Sequence, residues 1–420
     1  MNDWEIVSDY DSGINKNTIY RQEFVNGLRI LAIQDVSSSI CAYEIQVDLF
    51  SDIKKIKPGS MDLLYIYFMN YIKYRRINEQ LYKIGANLSI SINNYNLKLT
   101  CFTNLKQLLT AIKIVRSLLI DIEFIPALFE FVKEEYKRKI KFKENDAITL
   151  CKKSFFENVY LENNPLKYLY TYCNNISLSE LQNFYYESFT PKNTIIAITG
   201  QLSPKQITEY FFNEFKNWRQ SNLEHDQKGI LNSYRLGHKQ IIDLNISNIK
   251  NGHIIVGVPG FNYSNNLYLP GMVGNFILGQ LGLLGRLGEF IRQQSGLVYK
   301  IKSEILPTKY PGPWWIVCDA KVEKKDIVLG MILETIMELR DKGPTQEELN
   351  LSINSILNSL PVRLSHPITR TMKLIELEYY GLGLNYLREY KDNLLSLTTS
   401  SIRNAYRTFF DDKNITIIHT

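Results

Sequence analysis

The two halves of this chain close with the same segment, and no other feature limits its fold as sharply. Residues 177–198 (SLSELQNFYYESFTPKNTIIAI) and 397–418 (LTTSSIRNAYRTFFDDKNITII) overlap at a shift of 221 residues, 177–197 on 398–418, which puts Tyr185 on Tyr406, Phe189 on Phe410, Lys192 on Lys413 and Asn193 on Asn414. In each, a Ser/Thr-led amphipathic helix runs through a turn into a β-branched strand. The same shift sets 125–140 (IPALFEFVKEEYKRKI) against 346–361 (QEELNLSINSILNSLP), both of helical period. Each half also opens on two strand-like runs, GLRILAIQDV and ICAYEIQVDLF in the first, HKQIIDLNI and HIIVGVPGF in the second. A segment repeated at this distance, in a chain too long for one compact core, predicts a duplication. We therefore expect an α+β protein of two homologous domains, each an antiparallel-dominated sheet with helices on one side. The boundaries fall at 1–216 and 238–420, joined by the polar linker 217–237 (NWRQSNLEHDQKGILNSYRLG).

Composition narrows the function classes. With 45% hydrophobic and 22% charged residues, the chain can bury real cores. Its 49 basic and 43 acidic residues leave +6, too little on 420 residues to argue for nucleic acid or an anionic membrane. The densest basic run, KEEYKRKIKFKEN at 133–145, is broken by Glu134, Glu135 and Glu144 and reads as a solvated helix face. Five scattered cysteines without a CxxC pair predict neither a disulfide framework nor a thiolate metal site. No apolar stretch of about 18 residues is present, so no membrane insertion is expected. The amino terminus MNDWEIVSDYDSG lacks the basic start and apolar run of a secretory signal, and the expected location is cytoplasmic.

The run ILGQLGLLGRLGEFIRQQSGLVYKIKSE at 277–304 holds a small-residue loop, an Arg-Leu pair (Arg286, Leu287), a further arginine (Arg292) and Gly-Leu-x-Tyr (Gly296, Leu297, Tyr299). In this it resembles the carboxy-terminal homologous domain of the pitrilysin/insulinase-like zinc metallopeptidases. GPTQEELNLSINSIL resembles that family's Gly-x-Thr-x-x-Glu-Leu helix start, and YYGLGLNYLREYKDNLLSLTTSSIRNAY its closing segment. The resemblance spans nearly the whole chain and implies two domains forming a half-shell. Within the family, the likeness is to the mitochondrial processing peptidase-like subfamily, whose members often work as pairs.

Catalytic members carry an inverted zinc motif, His-x-x-Glu-His, on a helix of the first half. Here KPGSMDLLYIYFMNYI stands in that helix's place, and GANLSISINNYNLKLTCF in that of the strand after it. The motif positions are then Asp62, Tyr65 and Ile66, and the distal glutamate falls near Lys139. Zinc needs lone pairs from imidazole, thiolate or carboxylate, and of these four side chains only Asp62 is an ordinary donor. His225, His238, His253, His366 and His419 never stand three or four apart, so no other local motif replaces the lost one. No metal is expected on this chain, which should be inactive alone. Tyr65 and Tyr67 are expected to fill the space a metal site would need.

For a zinc-less member the resemblance implies a heterodimer. A homologous partner bears the zinc, and this chain supplies Arg292 and Tyr299 to the partner's site. A guanidinium can grip a peptide carbonyl or carboxylate in a fixed fork, and a phenol can donate a hydrogen bond to an oxyanion. The loop with Gly282, Gly285 and Arg286 would then touch the substrate, an unfolded peptide or a leader-bearing precursor. Plainer readings of the same residues stay open: Arg292 paired with Glu289 on a helix surface, Tyr299 in a core, the glycines as close-packing positions at a helix start. So does another role, that of a structural or peptide-holding protein with no part in catalysis. Trp314 and Trp315, which open a strand, are expected in a core or an interface.

Overall fold

The computed structural model describes residues 5–11, 16–49, 56–93, 95–220, 234–237, 239–246, 251–281, 284–306 and 308–420. The first half runs β1 (Glu5–Asp11), β2 (Lys16–Glu23), β3 (Arg29–Gln34), β4 (Ile40–Asp48), α1 (Ser60–Tyr74), α2 (Ile77–Lys83), β5 (Asn87–Asn93) and β6 (Asn96–Asn104). It continues with α3 (Leu108–Ile120), α4 (Pro126–Glu144), α5 (Ala147–Val159), α6 (Leu178–Ser188), β7 (Thr194–Gly200) and α7 (Pro204–Phe215). The second half runs β8 (Gln240–Asp243), β9 (Asn251–Pro259), α8 (Tyr268–Asn275), the π-helices π1 (Phe276–Gln280) and π2 (Leu287–Gln294), β10 (Val298–Ile305) and β11 (Pro313–Lys321). It closes with α9 (Lys325–Asp341), α10 (Gln346–Arg363), α11 (Pro367–Tyr379), α12 (Tyr386–Leu395), α13 (Thr399–Phe409) and β12 (Thr416–His419).

The two sheets repeat strand for strand. The first is ordered β1-β2-β3-β7-β4-β6-β5, and the second, taken from its other edge, β8-β12-β9-β11-β10. Beyond the β1–β2 hairpin the orders coincide. In each, the last strand of the half (β7, β12) enters between two earlier ones, parallel to β3 or β8 and antiparallel to β4 or β9. The matched tails show why. Helices α6 and α13 both start from a capping box, Ser177 with Glu180 and Thr398 with Ser401, which satisfies N–H groups the first turn leaves free. Tyr185 and Tyr406 are buried, and their hydroxyls donate to the carbonyls of Leu119 (2.6 Å) and Gly274 (3.1 Å). Each ring also packs on the phenylalanine one turn later, Phe189 at 4.5 Å and Phe410 at 5.7 Å. The sequence repeat is a repeat of fold.

The compact units are not the contiguous halves. One comprises Met1–Ile140, Tyr172–His225 and Ser359–Glu389; the other comprises Lys141–Thr171, Asp226–Asn358 and Tyr390–Thr420. Helices α5 and α11, which stand at the same point of the repeat, are exchanged. The expected boundaries 1–216 and 238–420 therefore follow the repeat along the chain but not the grouping in space. Of the expected linker 217–237, residues 221–233 lie outside the described residues.

The exchange answers a property of the strands. In the first unit Ile30, Ala32, Ile196 and Ile198 belong to the main core, whereas Leu31, Ile33, Ile195 and Ala197 face the other way, against Leu374, Ile375 and Leu377 of α11. Consecutive strand residues point to opposite faces, so a run such as RILAIQ is continuously apolar because both faces are buried. Helices on one side only, as expected from the sequence, would leave that second face in water at a cost of roughly 1.5–3 kcal/mol per large side chain. Polar contacts fix α11: Glu378 accepts from Nε and Nη2 of Arg21 at 2.8 and 2.9 Å, and Arg370 pairs with Asp35 at 2.7 Å. In the second unit the two tryptophans divide between faces. Trp314 lies 4.8 Å from both Tyr406 and Phe410, while Trp315 lies 5.3 and 5.5 Å from Phe155 and Phe156 of α5. Among the described residues no helix is long and apolar enough to cross a membrane.

Candidate functional site

Helix α1 starts after Gly59, whose φ of 87° suits glycine alone. Asp62 stands in the first turn. Of the other motif positions, Ile66 is in the core, and the Tyr65 hydroxyl donates to the Ile90 carbonyl at 3.4 Å. The side chain that α4 brings to the start of α1 is Tyr136, not Lys139. A Cβ at Gly59 would overlap the Tyr136 hydroxyl, which donates to the Cys173 carbonyl at 3.2 Å. Burial, then the Asp62 carboxylate, pushes the Tyr136 phenol up, so it remains a neutral donor. Lys139 is exposed and pairs with Glu135 at 2.7 Å; Glu135 also accepts from Asn70 of α1 at 2.9 Å. Tyr67 lies about 140° round the helix from Asp62. Its hydroxyl serves 123–125, donating to Glu123 O at 2.7 Å and accepting from Ile125 N at 2.8 Å. The aromatic side chain from α4 at the start of α1 is thus Tyr136, a residue the sequence reading did not single out.

One carboxylate, a phenol, an alkyl chain and an ammonium do not make a zinc site. Among the described residues no three His, Cys, Asp or Glu side chains are grouped to hold an ion.

The equivalent stretch of the second unit is built differently. Helix α8 passes into π1, whose wider winding lets Leu281 N donate to Phe276 O at 3.1 Å. A Cβ on Gly285 would stand 3.2 Å from Gly279 Cα, and one on Gly279 would stand 2.7 Å from Ser303 Oγ. For Gly285 the close-packing reading is therefore the one realised. Gly282 lies outside the described residues. Arg286, expected at the substrate, is instead 8% exposed, with Nε and Nη2 donating to Glu348 Oε1 and Oε2 at 2.7 and 2.9 Å and Nη1 to Glu338 Oε2 at 3.2 Å. Its donors are committed within the fold, so it anchors the loop. The one local signal for this was Thr345-x-x-Glu348, a capping-box spacing that fixes where Glu348 points.

Arg292 and Tyr299 do come together. Gly296, at φ 63°, turns the chain from π2 into β10, and Ser295 Oγ ties the turn to Ile291 O at 2.6 Å. The pairing of β10 with β11 then slips between Val298 and Lys300. Val298, opposite Ala320, and Ile301, opposite Cys318, both face the core, so Tyr299 is the extra residue of a β-bulge. It is 87% exposed, which removes the core reading. The Arg292 guanidinium carbon lies 5.7 Å from the centre of the Tyr299 ring, within cation–π range. Arg292 forms no ion pair among the described residues, and Glu289 accepts instead from Gln294 at 3.4 Å. A guanidinium and a phenol stand side by side on the surface.

The duplicated α+β units define a class of fold, two-unit peptidase-like chains. Residues 175–356, the segment holding Arg286, Arg292 and Tyr299, match the family described as Peptidase M16 inactive domain. The likeness of fold extends across both units. A peptidase M16 inactive domain from Pseudomonas fluorescens superposes with a TM-score of 0.83 at 16% identity, over 96% of this chain and 97% of that one. A protease from Helicobacter pylori gives 0.86 at 12% identity, over 96% and 98%. The periplasmic protease PqqL from Escherichia coli gives 0.76 at 11% identity, over 100% of this chain and 46% of its own length. No curated protein matches the sequence.

Proposed function

We propose that this chain is the non-catalytic subunit of a heterodimeric zinc peptidase of the mitochondrial processing peptidase-like kind. Its partner is a homologous, zinc-bearing subunit, and its substrate an unfolded peptide or leader-bearing precursor. Arg292 grips a carbonyl or carboxylate of that peptide, and Tyr299 donates a hydrogen bond to the oxyanion that develops at the scissile carbonyl. The supporting observation is the pair itself. A bulge leaves a ladder position unpaired, and a ring 87% in water gains little from burial, so packing does not account for the arrangement. The reading takes the complex to be cytoplasmic, in keeping with five free thiols.

The test is peptide cleavage by the reconstituted complex, with melting temperature and pull-down measured on the same variants. Tyr299→Phe should lower kcat by about a hundredfold with a smaller change in KM. Arg292→Ala should also raise KM, and both should fold and bind the partner as wild type does. Full activity in both variants would leave the structural or peptide-holding role in its place.

A further inference from the structure

The stretch that carries Arg292 is wound in an uncommon way, and something must hold it so. A π-helix is rare and is found mostly as single-turn insertions at functional sites, yet π2 is 8 residues long. Relaxation to an α-helix would change the residues per turn. A side chain well along the helix from a fixed start would then swing round the axis, taking the Arg292 guanidinium off the Tyr299 ring. We propose that the cluster Glu348 and Glu338 form around the buried Arg286 is the positioning device that sets the start of π2 and so aims Arg292 at Tyr299; this rests on the reading of that pair given above.

The geometry connects as follows. Glu348 closes the capping box of α10: Oε2 accepts from Thr345 N at 2.7 Å, and Glu348 N donates to Thr345 Oγ1 at 3.1 Å. Its carboxylate is therefore fixed by the first turn of that helix. Both oxygens take Arg286 in a bidentate fork, at 2.7 and 2.9 Å, and Glu338 near the end of α9 takes a third donor at 3.2 Å. Arg286 immediately precedes π2. The start of π2 is thus referenced to the α9–α10 corner by the strong, planar kind of ion pair, and its far end by the Ser295–Ile291 bond. Lysine would keep the charge at 286 but cannot span both oxygens.

The experiment uses the full chain with Arg286→Lys and, separately, Glu348→Gln, which can keep the capping-box acceptor but loses the charge. The Tyr299 ring resonance in tyrosine-labelled protein, assigned by its loss in Tyr299→Phe, reports the stacking. Hydrogen exchange over 287–299 reports the winding. Both variants should move the Tyr299 resonance toward its position in Arg292→Ala and speed exchange over 287–299 by about tenfold. In reconstituted complex, kcat should fall by about tenfold and KM should rise, both less than in Arg292→Ala, and Arg286→Lys should add nothing to Arg292→Ala. A Tyr299 resonance and exchange rates unchanged in either folded variant would overturn the positioning role. A resonance that moves, while Arg292→Ala and Tyr299→Phe keep full turnover, would uphold the device and remove the catalytic reading of the pair.

Discussion

The stretch from Gly59 to β5 in the first unit and the stretch from α8 to β10 in the second occupy the same place in the duplicated fold. They have nonetheless been completed in opposite ways. The first is two α-helices with Ile66 in the core, Tyr65 and Tyr67 on backbone carbonyls, and Tyr136 of α4 against the start of α1. The second keeps two π-helices, packed glycines and a bulge, and presents Arg292 and Tyr299 to solvent. Irregular backbone recurs at functional sites, and on the function proposed above it marks the stretch whose side chains act outside the chain.

This contrast predicts that variants in the two stretches fail differently. The largest effect belongs to the first unit. Tyr136 is buried and bonded to the Cys173 carbonyl, so Tyr136→Ala should cost about 3–5 kcal/mol of stability, read by denaturant unfolding. The fraction that stays folded should keep full turnover with the partner. The second unit should show the reverse in Tyr299→Phe, with kcat lower by about a hundredfold and an unmoved melting temperature. A Tyr136 variant that depressed kcat, or a Tyr299 variant that merely melted early, would erase the distinction.

Acid should act on the second stretch through Glu348. Burial raises its carboxyl, but the hydrogen bonds from Arg286 and the Thr345 amide outweigh burial and hold it below the ordinary glutamate range. A depressed folded value means its stabilisation is complete above the unfolded value of about 4.3 and is lost as pH falls through the folded value. The Tyr299 resonance should therefore hold steady through neutral pH and shift only below about pH 4. Glu348→Gln should abolish that acid response; a response that survives would have another source.

The sequence shows the repeat because its markers are single residues in register, Tyr185 with Tyr406 and Phe189 with Phe410. The strand faces were less legible. RILAIQ announces two buried faces but not what covers the second, and α11 comes from far along the chain. Asp62, Tyr65 and Ile66 share helix α1, so their common placement was readable from their spacing. The side chain that meets the start of α1 from α4 was not, because the register of α4 against α1 is set by packing across some seventy residues, and Tyr136 rather than Lys139 arrives there. Arg292 and Tyr299 were legible as a motif, whereas the bulge that exposes Tyr299 depends on the register of β10 with β11 and leaves no trace in GLVYKIKSE. The partners of Arg286 likewise lie on later helices.

The smallest expected effect gives the best-matched test. Gly85 and Gly296 hold the same position ahead of β5 and β10, with φ of 67° and 63°, and a Cβ added to either would meet nothing within 4 Å. Alanine at either site must adopt the left-handed conformation, at about 1 kcal/mol, without any clash to add to it. The two substitutions should lower the melting temperature equally, by roughly 2–4 °C. Turnover should separate them. Behind Gly85 lies a strand of small polar and aliphatic side chains; behind Gly296 lies the bulge that aims Tyr299, so backbone strain relieved by a small shift displaces the phenol. Gly296→Ala should slow the reconstituted enzyme by roughly threefold to tenfold, and Gly85→Ala should leave it alone. Gly296→Asn, which tolerates positive φ, should recover most of both losses. Equal turnover in the two alanine variants would mean that the two stretches do not differ in function, however differently they are wound.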